Sequence, residues 1–348
     1  MNAFLGRILS VVAPLTFRNG ARAEAWQLVA DMLASRMDAG RALDLVASMY
    51  RRRGNILTAH VLLDLRASIP RGEFAATAAR ISSPAETLLF SRYGTADAER
   101  IFAGAARIAR TQKKISDAIL NAIAQPAFLG VLVAVLFYIL GTRLFPTFAQ
   151  LSPETSWPAQ TIAIAHISAA VVHYHWLVAA GFVAAFFAVN ATMDYDWPGR
   201  PVFDLLPPWS LYKIRVGAAF LFAVVETARM GLDIKSATLA EMARLTPAYP
   251  RVRINRIAKE MQRANIGDAA IRAGDNFPSA DLNTVLSAMA TMDGWVDRFA
   301  LYLDRWMENI EQSIKRITAV VNIVLLSVVT GVIGASLSAI FSILQTIH

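Results

Sequence analysis

The stretch NAIAQPAFLGVLVAVLFYILGTRLF, residues 121–145, holds a single charged side chain, Arg143, near its far end. A helix rises about 1.5 Å per residue, so a run of ~20 apolar residues covers the ~30 Å hydrocarbon layer of a bilayer. Residues 123–145 meet that requirement, and Arg143 is placed where its long stem can reach the interface as an anchor. Two further stretches qualify, residues 166–193 and 318–347. The apolar run 216–225 is bounded by Arg215 and Glu226 and is too short, so it reads as a buried helix.

Composition agrees with lipid as the solvent for part of the chain. The 348 residues are 55% hydrophobic and only 17% charged, and the mean hydropathy is +0.43. Cysteine is absent, which removes disulfides, thiolate metal sites and cysteine nucleophiles. The net charge of +8 has its first explanation in membrane topology and anionic headgroups, and no nucleic-acid partner is expected.

Charge placement orients the spans. Every Arg and Lys except Arg143 lies before residue 121 or between residues 192 and 317, whereas Glu154 is the only charged residue of the connector 146–165. The positive-inside rule then places the N-terminus and both charged regions in the cytoplasm, with the connector and the C-terminus outside. No Asp or Glu falls in the centre of a span, which weighs against a transporter or channel. Residues 1–20 are expected to form an amphipathic segment. They lack the small-residue cleavage site of a signal peptide, and Arg18 and Arg22 follow the apolar run.

The charged regions are expected to be helical bundles. From Glu24, Leu28, Val29, Met32 and Leu33 recur at helical spacing, and the pattern closes near Gly40; two more helices follow before Pro70. Ser83-Pro84-Ala85-Glu86 is a capping box with proline at the first helical position. No period-two alternation suggests a sheet. The second region follows the same plan, with Gly231 closing a helix as Gly40 closes its counterpart. Gly72-Glu73-Phe74 precedes Pro84 much as Gly267-Asp268-Ala269 precedes Pro278. The expected fold is all-α. It comprises a cytoplasmic helical domain over 21–120, a span at 121–145, a connector to 165, a span at 166–193, a second cytoplasmic domain over 194–317 and a third span at 318–347.

This order, with Asn121 to Pro126 opening the first span and Phe145-Pro146-Thr147-Phe148 closing it, resembles the inner-membrane platform proteins of type II secretion systems and type IV pili, the F-domain family. The resemblance runs from about Glu24 to Ile343. It implies a non-enzymatic, cofactor-free platform that couples a hexameric cytoplasmic assembly ATPase to incorporation of pilin or pseudopilin subunits, forms homo-oligomers and meets accessory proteins of the machine. The family's Gly-Glu-x-x-Gly segments are only partly matched: Gly94 and Gly294 suit the final glycines, but Ser91 and Thr291 stand at the Glu position. That departure puts any metal contact of the Glu in doubt and points to a divergent branch of the type IVb or conjugative kind.

Several residues invite chemistry. His166, His173 and His175 could meet a metal, yet no carboxylate or cysteine joins them, and with Tyr174 and Trp176 they fit an interfacial belt. Asp194 and Asp196 could hold a cation in a membrane-bound transferase, although Pro198, Gly199 and Pro201 beside them read as a linker turn. Arg51, Arg52 and Arg53, with Arg251, Arg253 and Arg256, could dock an acidic partner or lipid headgroups. Gly331, Gly334, Ser338 and Ser342 form a small-residue stripe suited to helix packing. No nucleotide-binding loop, HExxH or GxSxG motif is found.

The absence of cysteine makes the topology directly testable. A cysteine placed at Glu154 should react with a membrane-impermeant maleimide on intact cells, and one at Arg52 only after permeabilisation; the opposite pattern would reverse the orientation.

Overall fold

The computed structural model describes residues 16–94, 96–151, 157–206 and 208–347. Most of the expected amphipathic segment, residues 1–20, and residues 152–156 of the connector lie outside the described residues. Among the described residues the chain is helical, without strands; the one β-type pairing is an isolated bridge between Tyr93 and Ala96.

A first run comprises α1 (Asn19–Ala34), α2 (Ala39–Arg52), α3 (Ile56–Ser68), α4 (Phe74–Ile81) and α5 (Pro84–Phe90), followed by the long helix α6 (Ala98–Ile139). A π-helical turn, Leu140–Leu144, leads into α7 (Phe145–Leu151) and then α8 (Ala159–Met193). After the short α9 (Arg200–Phe203), a second run comprises α10 (Trp209–Arg229), α11 (Ser236–Arg244), α12 (Ala248–Glu260), α13 (Ile266–Arg272) and α14 (Ala280–Met289). The long helix α15 (Trp295–Ile347) follows. Consecutive helices pack on one another through the first run, and α11 to α14 do the same.

Local chemistry sets these boundaries. Asp38 accepts the backbone N–H groups of Gly40 and Arg41, which starts α2, while Arg51 and Arg52 sit in its last turn where the helix dipole favours cations. Asn55, Ser83, Asn265 and Ser279 cap α3, α5, α13 and α14 in the same way. Gly40 is therefore inside α2 and does not close the preceding helix. That helix ends at Ala34, and it is Arg36, not Gly40, that takes the left-handed conformation (φ 60°) after it. Gly231, with φ of 75°, does close α10. Gly94 and Gly294 also adopt positive φ, 91° and 67°, each in the turn ahead of a long helix. At the ends of α5 and α14, the hydroxyls of Ser91 and Thr291 donate to the carbonyls of Leu88 and Ala288, a bond an ionised Glu could not make.

The chain divides into two compact units. The first contains residues up to 116 and residues 193–308, so the two stretches expected as separate domains share one unit. Its core has two aromatic centres. Trp26, fully buried, meets Phe17, Phe90 and Phe102 at ring-centroid distances of 5.2–5.7 Å. In the second run, Tyr249 packs with Tyr212 and Phe277. The runs meet where α5 lies against α10 and α11. Backbone approach is closest at Gly267 of α13, where an added Cβ would stand 2.2 Å from the Ser287 backbone of α14.

The second unit contains residues 117–192 and 309–348. Two helical stretches, Ala98–Gln150 and Trp295–Ser338, are long and apolar enough to cross a membrane. Their apolar windows have mean hydropathy 2.3, and only 6% and 0% of them is buried by the rest of the chain, so these surfaces need an apolar solvent. The pair Ala159–Leu177 and Ala179–Met193 qualifies as a third span only if it is taken as one helix bent by 51°. Within this unit Phe137, Leu140, Phe145, Phe148, Trp157 and Val332 form a buried cluster, so the Phe145-Pro146-Thr147-Phe148 segment contributes both its aromatic rings to a core. Gly141, in the π turn, approaches Ser168 so closely that a Cβ would lie 2.8 Å from its carbonyl oxygen.

Gly267→Val should force α13 and α14 apart. Overpacking of this kind typically costs about 1–3 kcal/mol, and the variant should show a clear drop in thermal midpoint, whereas Gly331→Val, with nothing within 4 Å of its added Cβ, should leave that midpoint nearly unchanged.

Candidate functional site

Among the described residues the first unit buries charged side chains at three places, and each is built from helices that the sequence alone did not bring together. The first lies under α5. Glu86 is fully buried and accepts from Arg22 Nε at 3.1 Å, Trp26 Nε1 at 3.0 Å and Ser83 Oγ at 2.8 Å. The capping box is thus half present. Ser83 Oγ accepts the Glu86 N–H at 3.4 Å, but the carboxylate turns inward to α1 and does not return to the Ser83 N–H.

The second place joins α10 of the second run to both long helices. Glu226 of α10, 3% exposed, takes a bidentate pair from Arg107 of α6, with Nε–Oε1 at 2.8 Å, and a further bond from Arg229 at 3.2 Å. Arg229 also bonds Asp297 of α15 at 3.0 Å. Gly104 makes room for this carboxylate: a Cβ there would lie 3.4 Å from Glu226 Oε2 and 3.0 Å from Leu89. Nearby, Arg92 pairs with Glu241 at 3.1 Å, between the runs.

The third place fastens the segment after α8 onto α12. The Tyr249 ring has Arg200 and Arg253 guanidinium carbons 4.1 and 3.7 Å from its centroid, and its hydroxyl donates to Asp204 at 2.7 Å. Arg200, fully buried, donates to Asp204 at 2.8 Å, and Arg253 donates to Asp196 at 2.8 Å. Tyr212 donates its hydroxyl to Asp194 at 2.6 Å, and the Asp194 carbonyl accepts the Tyr249 N–H. Burial, and next the hydrogen bond to its carboxylate, raises the pKa of Tyr212 and of Tyr249 well above the ordinary phenol value, so both remain donors. Burial also lowers the pKa of Lys213 on the same helix as Tyr212.

These contacts place the candidate residues. Asp194 and Asp196 bond to Tyr212 and Arg253, an arrangement that makes them anchors of the linker turn. Arg253 is 5% exposed and belongs to that anchor, so it is removed from the expected docking patch. Its neighbours Arg251 and Arg256 are exposed, but Arg251 bonds the Thr246 carbonyl and Arg256 pairs with Asp275 at 2.6 Å. Arg51, Arg52 and Arg53 are exposed at the end of α2, and Arg53 reaches Glu24 at 2.6 Å. His175 bonds the Val172 carbonyl and packs edge-on to Tyr138, and no group of three or more potential metal ligands occurs among the described residues. Arg143 is exposed. Gly331, Gly334 and Ser338 are exposed, and nothing lies within 4 Å of a Cβ added at either glycine; the side chain of Ser342 lies outside the described residues. Sequence reasoning missed Glu86 and Glu226 as buried charges. The signal for Glu226 was its position closing the apolar run 216–225.

A cavity of about 370 Å³ opens between the two runs inside the first unit, with Arg22, Ser83 and Gln112 contributed by one and Tyr212, Arg215 and Ile254 by the other. Comparison with protein-family models, with curated proteins and with solved structures found no match for this chain.

Breaking a buried ion pair by removing one partner costs about 3–5 kcal/mol when the remaining charge stays buried. Arg107 and Arg229 retain access to water, so Glu226→Ala should lose about 1.5–3 kcal/mol, the range for a hydrogen bond to a charged group. The exposed Arg53–Glu24 pair gives the control: Arg53→Ala should change stability by less than about 1 kcal/mol. Equal losses in denaturant titrations would remove the special role of Glu226.

Proposed function

We propose that this chain is the inner-membrane platform of a type IV pilus or type II secretion machine, transmitting the work of a cytoplasmic assembly ATPase to pilin or pseudopilin subunits. The observation that carries this reading is the order of elements. Among the described residues five helices precede a long, apolar-ended helix, and after an intervening apolar segment the four-residue α9 and five more precede a second. A duplicated cytoplasmic domain with one span after each copy, and a third span between them, accounts for that order. The paired turn glycines Gly94 and Gly294 and the paired hydroxyls Ser91 and Thr291 support the same duplication.

The physical mechanism follows from continuity. A force applied to α10 of the second run reaches both long helices through Arg107, Glu226, Arg229 and Asp297. Helices α6 and α15 have no loop between their charged and apolar parts; α15 passes displacement of its charged end along its backbone hydrogen bonds, and α6 does so with one such bond missing at Pro126. In this reading the N-terminus is cytoplasmic, the C-terminus periplasmic, and no catalytic residue or cofactor is assigned to the chain. The bonds that Asp194 and Asp196 make to Tyr212 and Arg253 favour a structural part for these carboxylates over a transferase centre.

Because the two runs pack against each other within one unit, point changes on the full chain are a cleaner probe than deletion of one run. Detergent-solubilised wild-type protein should co-purify with its assembly ATPase, and Arg51→Glu with Arg52→Glu should weaken that association about tenfold, equivalent to ~1.4 kcal/mol. Unchanged association would dismiss this patch, and no association in any nucleotide state would dismiss the platform reading.

A further inference from the structure

The cavity between the two runs has the size of a small-molecule site, ~300 Å³ or more, and its wall carries charges that the fold leaves unmatched. Arg215 is exposed and makes no hydrogen bond or ion pair among the described residues; its guanidinium carbon lies 5.4 Å from the Tyr212 ring centroid. Asp194 accepts the hydroxyl of that same ring at 2.6 Å through one carboxylate oxygen, leaving the other. One tyrosine therefore holds a cation and an anion at one wall, and the two do not pair with each other. Arg22 adds no net charge, because Glu86 neutralises it.

The uncharged groups follow the same division. Asn19 gives its oxygen to Arg22 at 2.6 Å, which leaves amide N–H donors, whereas Gln112 donates its amide to Ser83 at 3.0 Å, which leaves an oxygen. Much of the remaining lining is an apolar floor of Val216, Ala219, Phe220 and Ile254. A ligand complementary to this wall presents an anion, an N–H-bearing cation and an apolar body.

We propose that the cavity binds the headgroup of a zwitterionic aminophospholipid, with the phosphate on Arg215 and Asn19, the primary ammonium on Asp194 and Gln112, and the start of the acyl chains over the apolar floor. A guanidinium suits a phosphate because its forked N–H groups match two oxygens. A primary ammonium suits Asp194 because it donates hydrogen bonds, which a trimethylammonium cannot. The source is lipid and not a free headgroup because the floor is apolar, and because Asp194 is the first residue after α8 while Ser116, also in the lining, precedes the apolar part of α6. Residues at such positions sit at headgroup level. The inference rests on the reading of α6 and α8 as spans.

Native mass spectrometry of the delipidated full chain in detergent tests it, with dioleoyl phosphatidylethanolamine, phosphatidylglycerol and phosphatidylcholine as probes and glycerophosphoethanolamine as the tailless control. The ethanolamine lipid should bind about tenfold more tightly than either other lipid. Arg215→Glu should abolish that preference, and Asp194→Asn should shift it toward phosphatidylglycerol, a reversal that a merely structural loss would not produce. Ala219→Trp should lower the binding of every lipid; if it fails to fold, the two charge variants decide alone. Equal binding of the three lipids, unchanged preference in both charge variants, or binding of the tailless control as tight as that of the lipid would overturn the proposal. Alkaline carbonate extraction of cell membranes separates the two readings: a chain that stays in the pellet yet shows no lipid preference leaves the spans standing and removes the headgroup site.

Discussion

A carboxylate buried between helices has to be matched by cations, and the bond between Glu226 and Arg107 organises the first unit for that reason. Isolated, the Glu226 side chain would cost several kcal/mol to remove from water. Its position on α10 therefore requires a guanidinium from α6, and the bidentate geometry fixes how α6 lies against α10. Gly104 provides the space, and Arg229 extends the connection to Asp297 on α15. Both long helices are thereby tied to one side chain.

Glu86 applies the same logic within the first run. It ties α1 to α5 through Arg22 and Trp26, and the indole both bonds the carboxylate and packs among three phenylalanines. Polar satisfaction and aromatic packing are thus supplied by one residue. The Arg200, Asp204, Tyr249 and Arg253 cluster performs the corresponding task for the segment after α8, where the guanidiniums cover both the ring and the carboxylates. These three polar centres explain how a unit whose helices are mostly 7–16 residues long, near or below the length at which an isolated helix is stable, holds together.

Function, in the reading proposed, depends on stiffness between a charged region and an apolar one. Helix α15 supplies it within its own backbone and α6 with one backbone bond missing at Pro126, and Glu226 keeps their charged halves in register with α10. Outside the cluster that includes Phe137, Leu140 and Val332, the apolar halves expose leucines, isoleucines, valines and phenylalanines, which in this reading are matched by hydrocarbon.

The sequence by itself determined the helical class, the apolar stretches and several helix starts, because these depend on length, hydropathy and the side chain of one capping residue. Ser83, Asp38 and Asn55 act within three residues of their own position, so their effect is legible in one dimension. The joining of the two charged regions into one unit was decided only by tertiary structure, as were the burial of Glu86, Glu226 and Arg253 and the placing of Asp194 beside Tyr212. Each of these depends on partners that are 18 to 149 residues apart in the chain, and no local pattern records which cation a buried carboxylate will meet. Gly40 shows the boundary between the two kinds of information: glycine allows a helix to stop, but the neighbouring Asp38, by capping the next helix, decided that the stop falls earlier.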